Sequence, residues 1–359
     1  MRLILVSVFI LFSLHACSPI SDLFYSQKSA FTSDQNHFKD AFEINQILGK
    51  GINLGNALEA PVEGDWGLVI QEEYLDLIAN AGFESVRIPI QWNAHAQHQP
   101  PYTINTSFFD RVDQVIKWSL DRNLAVIINI QHYNELMADP NEHLERFLAI
   151  WEQLAYHYRN YPETVLFEIL NEPHDNYTAD LWNSHLSKAM STIRRLNPKR
   201  VIAVGTTPWG SFEGLQSLKI PESDRQIIVT VHYYNPFHFT HQGTSWEKPE
   251  SYDWLGMTWN GTIAEKKEID QDFDRVLQWA MTYNRPVHLG EFGASDSTDR
   301  ESRKRWVRYV VESAESRGFS WAYWEFGATF GIFDPYQNKW RNYLLEALLP
   351  DSPELNHSL

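Results

Sequence analysis

From about residue 39, eight short apolar runs alternate with longer amphipathic segments, and this alternation restricts the folds open to the chain. The runs are 51–54, 85–90, 124–130, 165–170, 201–204, 227–231, 286–290 and 319–324. Helical candidates lie near 68–81, 108–122, 142–158, 178–196, 210–218, 264–284, 298–317 and 340–348. Eight strand–helix units predict the α/β class and a single (β/α)8 TIM barrel. An open doubly wound sheet is the alternative, but residues 51–56 lack its usual glycine spacing.

The first 38 residues differ from the rest of the chain. Met1 and Arg2 precede an apolar run, 3–14, that is typical of a signal peptide and too short to span a bilayer. The run leads to Cys17, in a context that resembles a bacterial lipobox except at His15. The alternative is a plain signal peptide with an incidental cysteine. We therefore expect a lipoprotein signal peptide over 1–17 with lipidation at Cys17, and a flexible tether over 18–38. A barrel domain over 39–350 and a tail over 351–359 would follow.

The lipobox likeness also implies a cellular location for the protein. Ser18 does not match the aspartate that retains lipoproteins in the inner membrane, so an outer-membrane or cell-surface location is expected. A periplasmic or secreted protein remains the alternative. Membrane contact would then occur only through the lipid on Cys17.

Composition narrows the possible ligands. The formal charge of −16 argues against nucleic acid, which requires clustered Lys and Arg. The 14 Trp, 16 Tyr and 20 Phe form a large aromatic stock, much of which must be core. Some of it falls in loop-like segments, where a neutral, flat ligand could stack on it. The histidine pairs His95/His98 and His238/His241 lack a nearby Cys or Asp, so no metal and no other cofactor is expected.

Barrels of this kind place their chemistry at the carboxyl ends of the strands. Seven of the eight predicted strand ends carry polar or aromatic groups. In chain order these groups are Asn56, Glu59, Arg87, Gln131, His132, Asn171, Glu172, His232, Tyr234, Glu291, Trp324 and Glu325. One such group alone would be ordinary, but their convergence on one rim predicts a site.

Two carboxylates define the chemistry predicted for this rim. Glu172 ends a buried apolar strand just before Pro173, and burial favours the protonated form of a carboxyl group. Glu291 lies between Gly290 and Gly293, which leave room around it. A carboxyl pair across a barrel mouth suits glycoside hydrolysis, with Glu172 as general acid/base and Glu291 as nucleophile. The sequence does not give their separation, which distinguishes retention from inversion.

Neighbouring groups could support that pair. Arg87 and Tyr234 could donate hydrogen bonds that keep Glu291 ionised. Asn171 could bind the substrate 2-hydroxyl, and Trp324 could stack on a pyranose ring. Two histidines, His132 and His232, could orient hydroxyls or tune Glu172.

Together these residues resemble glycoside hydrolase family 5, the cellulase family, over nearly all of 49–340. The motifs that carry the likeness are Arg87, His132, Asn171-Glu172-Pro173, His232-Tyr233-Tyr234, Gly290-Glu291-Phe292-Gly293 and Trp324. The resemblance implies a retaining (β/α)8 enzyme with the same two catalytic glutamates. It also implies that Arg87, His132, Asn171, His232, Tyr234 and Trp324 complete the central sugar subsite.

A narrower likeness, over 51–67 and 232–246, is to a bacterial subgroup that cleaves β-1,4-glucans and in some members mannans. It implies that Asn56, Glu59 and Glu325 contact hydroxyls on the non-reducing side. The subgroup commonly has two adjacent histidines on the third strand, and here the first is Gln131, which puts mannan activity in doubt. In the long segment after the sixth strand, Trp246 is predicted to stack on a sugar, Trp254 and Trp259 to pack, and Trp209 could do either.

The main hypothesis is thus an endo-acting, retaining β-1,4-glucanase that functions as a monomer on a β-linked polysaccharide. A β-mannanase, a mixed-linkage glucanase or a xyloglucanase on the same scaffold is an alternative. A protein of a different functional class, a non-catalytic glycan-binding lipoprotein, is also an alternative. Such a protein would need aromatic side chains that stack on sugars, but it would not need the two glutamates together with Arg87 and Tyr234. A metal-dependent hydrolase is disfavoured because no ligand cluster is visible in the sequence.

Overall fold

The computed structural model describes residues 38–357. The predictions for the signal peptide, for Cys17 and for nearly all of the tether concern residues outside that range. The described residues all belong to one compact unit, residues 35–359.

Eight parallel strands close into a barrel in sequential order, and β8 is hydrogen-bonded to β1. The strands are β1 (Lys50–Asn53), β2 (Ser85–Ile88), β3 (Ala125–Asn129), β4 (Val165–Glu168), β5 (Ile202–Val204), β6 (Ile227–Tyr233), β7 (Val287–Phe292) and β8 (Ser320–Tyr323). Each overlaps one of the predicted apolar runs, and the predicted (β/α)8 barrel is confirmed. A small antiparallel pair, β9 (Phe333–Asp334) and β10 (Lys339–Trp340), follows β8.

The helices surround the barrel. They are α1 (Ala41–Leu48), α2 (Glu72–Ala81), α3 (Thr106–Asp121), α4 (Asn134–Ala138), α5 (Leu144–His157), α6 (Ala179–Arg194), α7 (Phe237–Thr240), α8 (Glu250–Asp253), α9 (Ile263–Tyr283), α10 (Arg300–Glu315) and α11 (Asn342–Leu348). The segment predicted near 210–218 is the 3-10 helix Phe212–Ser217. The tail expected over 351–359 includes another 3-10 helix, Pro353–His357, whose Leu355 packs against the core.

Helix α1, which the sequence analysis did not anticipate, closes the amino-terminal end of the barrel. It begins at Asp40, whose side chain accepts hydrogen bonds from two backbone N–H groups in a capping box. Its buried Ile44 and Leu48 form an apolar cluster with interior residues such as Ile127 and Leu166. Because this end is plugged, a ligand can enter the barrel only from the carboxyl end of the strands.

Strand β7 contains a bulge that decides where its side chains point. Its register against β6 shifts by one residue, and Gly290 is the extra residue. His288 lies three residues before Glu291, so strand alternation predicts that it faces the helices. Instead its Nδ1 lies 2.7 Å from Oγ of Ser320, which in turn donates to Asn45 of the α1 plug. That prediction was wrong because simple alternation was counted back from Glu291 across the bulge. The bulge allows Glu291 to point into the barrel mouth.

Candidate active site

The open end of the barrel holds a cleft of about 1030 Å³, bounded by the loops that follow the strands. The predicted residues that line it are Asn56, Gln131, His132, Asn171, Glu172, His232, Tyr234, Trp246, Glu291, Trp324 and Glu325. Most of the predicted set therefore belongs to one cavity. Arg87 and Glu59 do not line it, and their positions are described below.

Glu172 and Glu291 face each other across this cleft. Nδ1 of His232 lies 2.7 Å from Oε1 of Glu172 and 3.6 Å from Oε2 of Glu291. One ligand atom from each of the three side chains lies within 4.8 Å of the other two. Retaining glycosidases hold their carboxyl groups about 5–5.5 Å apart, whereas inverting enzymes need about 6.5–9.5 Å. This spacing suits direct attack by one carboxylate and proton transfer by the other.

Glu291 is held as a carboxylate. Its Oε1 accepts from Nη1 of Arg87 at 2.7 Å, and its Oε2 accepts from the hydroxyl of Tyr234 at 2.9 Å. Burial alone would raise the pKa of Glu291, but the charges of His232 and Arg87 and these hydrogen bonds outweigh it. The pKa of Glu291 therefore lies below its usual range, as an ionised nucleophile requires.

The groups around Glu291 remain donors. Burial, followed by the charge of Glu291, raises the pKa of Tyr234 well above its usual range, so the phenol stays protonated. Burial lowers the pKa of His232, but the charges of Glu291 and Glu172 more than reverse this, and the pKa is raised overall. His232 thus lies between the two glutamates, whose negative charge favours its protonated form.

Arg87 lies beneath the cleft and not on its surface. Its side chain is 1% exposed because other side chains enclose the guanidinium, and its hydrogen bond to Glu291 is the one expected from the sequence, whereas its predicted contact with substrate stays a prediction. Besides Glu291, it donates to Oδ1 of Asn171 at 2.7 Å and to Oδ1 of Asn53 at 2.8 Å. Since arginine only donates, the contact fixes the amide of Asn171 with Nδ2 free for a substrate hydroxyl.

Glu168, which the sequence analysis passed over, is the second carboxylate on Arg87. It accepts from Nε at 2.5 Å and from Nη2 at 2.9 Å, and it is buried. Arg87 therefore divides one positive charge between Glu168 and Glu291. The sequence did contain a signal for this role, since Glu168 is a charged residue inside an apolar strand. Such residues are usually buried only when they are paired with an opposite charge.

Replacing Glu168 with glutamine is expected to disturb this balance. The charge of Arg87 would act on Glu291 alone and lower the pKa of the nucleophile further. The acidic limb of kcat/KM should then move to lower pH, and the free energy of unfolding should fall by about 3 kcal/mol. A pH–rate profile and a denaturant titration measure both effects. An acidic limb that stays in place would show that Glu168 does not share the arginine charge.

Glu59 is also enclosed, and it does not contact the cleft. Its side chain is 0% exposed, and its oxygens accept from the backbone N–H groups of Asn56 and Ala57. Glu59 therefore holds the turn at Asn56, and its predicted contact with a sugar hydroxyl stays a prediction. Burial raises the pKa of Glu59 to about 7.

The amide of Gln131 is oriented by its neighbour Asn129. The backbone N–H of Ile90 donates to Oδ1 of Asn129 at 3.1 Å, which leaves Nδ2 of Asn129 to donate to Oε1 of Gln131 at 2.6 Å. Oε1 of Gln131 thus accepts one hydrogen bond and keeps a second lone pair, so the side chain retains the donor and acceptor character expected from its formula.

Aromatic side chains form the walls of the cleft. Trp246, predicted to stack on a sugar, is 54% exposed and backed by Phe330 with ring centroids 5.9 Å apart. Trp209, for which both roles were open, is 53% exposed and stacks on His174 at 3.7 Å. Trp66, to which no role was assigned, also lines the cleft.

Two other tryptophans of the long β6 loop pack as predicted. Trp259 is buried, and Trp254 stacks on His238 at 4.3 Å. His241, from the pair considered as metal ligands, instead stacks on Phe237 at 4.0 Å within the cleft wall. Burial lowers the pKa of His241 to about 4, so it is neutral near pH 7.

Among residues 38–357 the structure does assemble one group with metal-ligating potential, Glu172, His232 and Glu291. The sequence shows no such cluster because these three side chains come from three separate strand ends. Both oxygens of Glu291 already accept hydrogen bonds from Arg87 and Tyr234. The donor set therefore fits a carboxylate pair prepared for acid–base and nucleophilic chemistry.

Several cleft residues adopt left-handed backbone conformations. The φ angles are 61° at Asn56, 51° at His132, 43° at Glu172 and 56° at Trp209. Such conformations cost residues other than glycine about 1–3 kcal/mol each and concentrate at functional sites. Their occurrence at four strand ends supports the assignment of this cleft as the active site.

Comparisons with known proteins agree with this geometry. Residues 49–329 match the family model Cellulase (glycosyl hydrolase family 5). Endoglucanase H of Acetivibrio thermocellus is 40% identical over 295 residues, which span 82% of this chain but 31% of that protein. The structure of Thermotoga maritima Cel5A in complex with cellobiose is 51% identical with a TM-score of 0.85, covering 86% of this chain and 100% of the other. The structure of the same protein in complex with mannotriose is also 51% identical, with a TM-score of 0.84, and covers 86% of this chain and 100% of the other.

Proposed function

The chain belongs to the cellulase family, glycosyl hydrolase family 5, and from that premise we propose that it is an endo-acting, retaining β-1,4-glucanase. One observation carries the proposal. Glu172 and Glu291 meet across a single cleft, with a ligand atom of each within 4.8 Å of the other. A non-catalytic glycan-binding protein would have no use for this pair held by Arg87, Tyr234 and His232.

The proposed reaction has two steps. Glu291 attacks the anomeric carbon while Glu172 protonates the departing glycosidic oxygen, which leaves a covalent glycosyl-enzyme. Glu172 then removes a proton from water, and the water displaces Glu291 with net retention. Arg87 and Tyr234 stabilise the carboxylate of Glu291 before attack and after its release. Asn171 supplies its Nδ2 to the 2-hydroxyl, a contact that strengthens in the transition state.

Product analysis on a panel of polysaccharides tests this function. Carboxymethyl cellulose, lichenan, glucomannan and xyloglucan would be digested while the anomeric signals are followed by NMR. The expected outcome is rapid loss of viscosity on β-1,4-glucan, with products that first appear as the β-anomer. Initial α-anomer would contradict retention, and monomer or dimer release without loss of viscosity would contradict endo action.

A β-mannanase activity is the second candidate, because a similar structure contains mannotriose. Mannose differs from glucose in the orientation of its 2-hydroxyl, next to the scissile bond. Gln131 lines the cleft where the subgroup commonly has a histidine, and this difference weighs against mannan activity. The glucomannan arm of the panel separates the two substrates.

We further propose that lipid on Cys17 anchors the enzyme to the outer membrane or cell surface. Support comes from the lipobox-like sequence before Ser18. Among the described residues, no helix has the length and apolar character needed to cross a bilayer.

Cys17→Ala is expected to move the enzyme from the membrane fraction to the soluble fraction of the expressing bacterium. Activity on soluble glucan should be unchanged, since Cys17 precedes the barrel. Immunoblots of the fractions, with Ser18→Ala as the matched control, measure this. An alanine variant that still sediments with membranes would contradict anchoring through Cys17.

A further inference from the structure

His174 lies directly behind the turn that carries Glu172, and the reaction proposed above gives it no role. Its side chain is 17% exposed and does not line the cleft. Nδ1 of His174 lies 2.5 Å from the carbonyl oxygen of Glu172. A carbonyl oxygen only accepts hydrogen bonds, so this Nδ1 must carry a proton. His174 therefore donates to the backbone of the residue proposed as general acid/base.

The same imidazole ring supports Trp209. The two rings are stacked, with their centroids 3.7 Å apart and their planes 10° from parallel. One face of the indole is thus covered by His174, although Trp209 is half-exposed and lines the cleft. The opposite face is therefore the one that a sugar of the substrate can contact.

Backbone hydrogen bonds join the Trp209 segment to the turn at Glu172. The N–H of Trp209 donates to the carbonyl of Pro173 at 3.0 Å, and the N–H of His232 donates to the carbonyl of Gly210 at 2.9 Å. A Cβ atom on Gly210 would lie 3.5 Å from Cγ of Glu172 and 3.2 Å from Cγ of His232. The Trp209 segment thus packs directly against the residue that would protonate the departing oxygen.

Both residues that His174 contacts have left-handed backbone conformations. The φ angle is 43° at Glu172 and 56° at Trp209, and neither residue type adopts such angles readily. The carboxyl group of Glu172 lies 2.7 Å from Nδ1 of His232. The side chain of Glu172 is thus held at its tip by one histidine, while its backbone is held by another.

We propose that His174 is a positioning residue for proton transfer. Its Nδ1–H fixes the backbone of Glu172 and its ring fixes the plane of Trp209, so one imidazole sets the acid and the sugar platform relative to each other. His174 has this role only if the glucanase function proposed above is correct, and it would contact neither the substrate nor the reacting atoms. Loss of its donor should slow reactions whose leaving group needs a proton, whereas loss of its ring should weaken binding of a sugar on Trp209.

His174→Phe keeps a ring behind Trp209 and removes the donor. Its kcat on cellotetraose is expected to fall about tenfold, as for the loss of one hydrogen bond that positions a reacting group. With dinitrophenyl β-cellobioside, whose leaving group departs without a proton, kcat/KM should stay within about twofold, because this ratio reports only formation of the glycosyl-enzyme. Equal losses on the two substrates would indicate a general distortion of the site and would overturn the proposal, as would no loss on either.

His174→Asn separates the second contact from the first. Its Nδ2 lies about as far from the backbone as Nδ1 of histidine and can still donate to the carbonyl of Glu172, but no ring remains behind Trp209. KM for cellotetraose should rise about fivefold while kcat stays within about twofold, as for the loss of one aromatic contact. In a Trp209→Ala background this rise in KM should disappear, whereas the effect of His174→Phe on kcat should remain. A rise in KM that persists without the indole would overturn the link between His174 and Trp209.

His98→Phe is the matched control, because His98 is exposed and does not line the cleft. It should leave the kinetics of both substrates unchanged, and thermal melting of each variant checks that the fold is intact. If His174→Phe does not fold, His174→Asn with Trp209→Ala still tests the role of the ring.

The outcomes also separate the role of His174 from the function on which it depends. A protein that hydrolyses neither cellotetraose nor dinitrophenyl β-cellobioside contradicts the glucanase function itself. An active enzyme in which His174→Phe leaves the ratio of the two activities unchanged, and His174→Asn leaves KM unchanged, contradicts only the role of His174.

Discussion

Replacing Glu291 with alanine is expected to lower hydrolysis of soluble β-1,4-glucan by about 10⁵-fold or more, as loss of the covalent nucleophile does in other hydrolases. The physical reason is that, among the described residues, the buried carboxylates nearest in role to Glu291 are already engaged elsewhere. Glu168 is enclosed behind Arg87, and Glu59 is bound to the backbone of the Asn56 turn. Reducing-sugar release from carboxymethyl cellulose measures the effect.

Polysaccharide binding should survive the same substitution. The aromatic walls formed by Trp209, Trp246 and Trp324 do not depend on Glu291, so affinity electrophoresis in a glucan gel should still retard the variant. Glu291→Gln is the matched control for shape, and it should be equally inactive because its amide is not a nucleophile. Undiminished turnover by either variant would remove Glu291 from the mechanism.

Azide gives the alanine variant a stereochemical signature. With dinitrophenyl β-cellobioside, whose leaving group needs no protonation, azide can enter the space that Glu291 vacates. Attack from that side inverts the anomeric centre and gives the α-glycosyl azide. A β-azide would instead indicate that the nucleophile is intact and that another group had been removed.

The barrel was predictable because its signal is distributed over the whole chain. Eight buried strands that alternate with amphipathic helices leave few arrangements in which every apolar face is covered. Helix α1 was missed because eight residues close to the expected tether carry too little periodicity. Its role as a plug depends on contacts with Ile127 and Leu166, which are far away in sequence.

The surface of the site was predictable for a similar reason. Residues that end parallel strands converge on one rim, so Asn171, Glu172, His232, Tyr234 and Glu291 could be grouped without knowing any distance. A rule based on strand ends does not say how deeply a side chain is buried beneath the cleft. It placed Glu59 on the same rim as Asn56, although the Glu59 side chain turns back to cap its own loop.

The buried residues beneath the surface of the cleft were the least predictable part of the site. Glu168 lies inside an apolar strand, and its importance depends on Arg87, which is 81 residues away in sequence. The bulge at Gly290 leaves no signature in the spacing of apolar residues, which is why His288 was given the wrong face. A Cβ on Gly290 would lie 2.4 Å from Oγ1 of Thr230, so the glycine is required by packing seen only in the fold.

Backbone conformation is a further property that composition does not reveal. Asparagine tolerates a left-handed φ, so Asn56 is unexceptional there. Histidine shares part of this tolerance, whereas Glu172 and Trp209 do not, so tertiary contacts must hold those two. The N–H of Trp209 donates to the carbonyl of Pro173 at 3.0 Å, which ties the tryptophan platform to the turn that carries Glu172.

Replacing Glu172 with alanine should produce a different pattern of loss from the Glu291 variants. Hydrolysis of β-1,4-glucan should fall by about 10²–10⁴-fold, the usual contribution of a general acid/base. Formation of the glycosyl-enzyme from dinitrophenyl β-cellobioside should be nearly unaffected, because that leaving group departs as an anion. The second step should then become rate-limiting, and stopped-flow measurements should show a burst of dinitrophenol followed by slow turnover.

Azide again identifies the residue that was removed. In the alanine variant it can attack the glycosyl-enzyme without a general base, so turnover of the aryl cellobioside should recover and the product should be the β-azide. Glu172→Gln, which fills the space that azide needs, should show the burst without comparable recovery. Equal losses on the glucan and the aryl substrate, with no burst, would mean that Glu172 does not transfer the proton. His232, 2.7 Å from Glu172, would then be the next group to test.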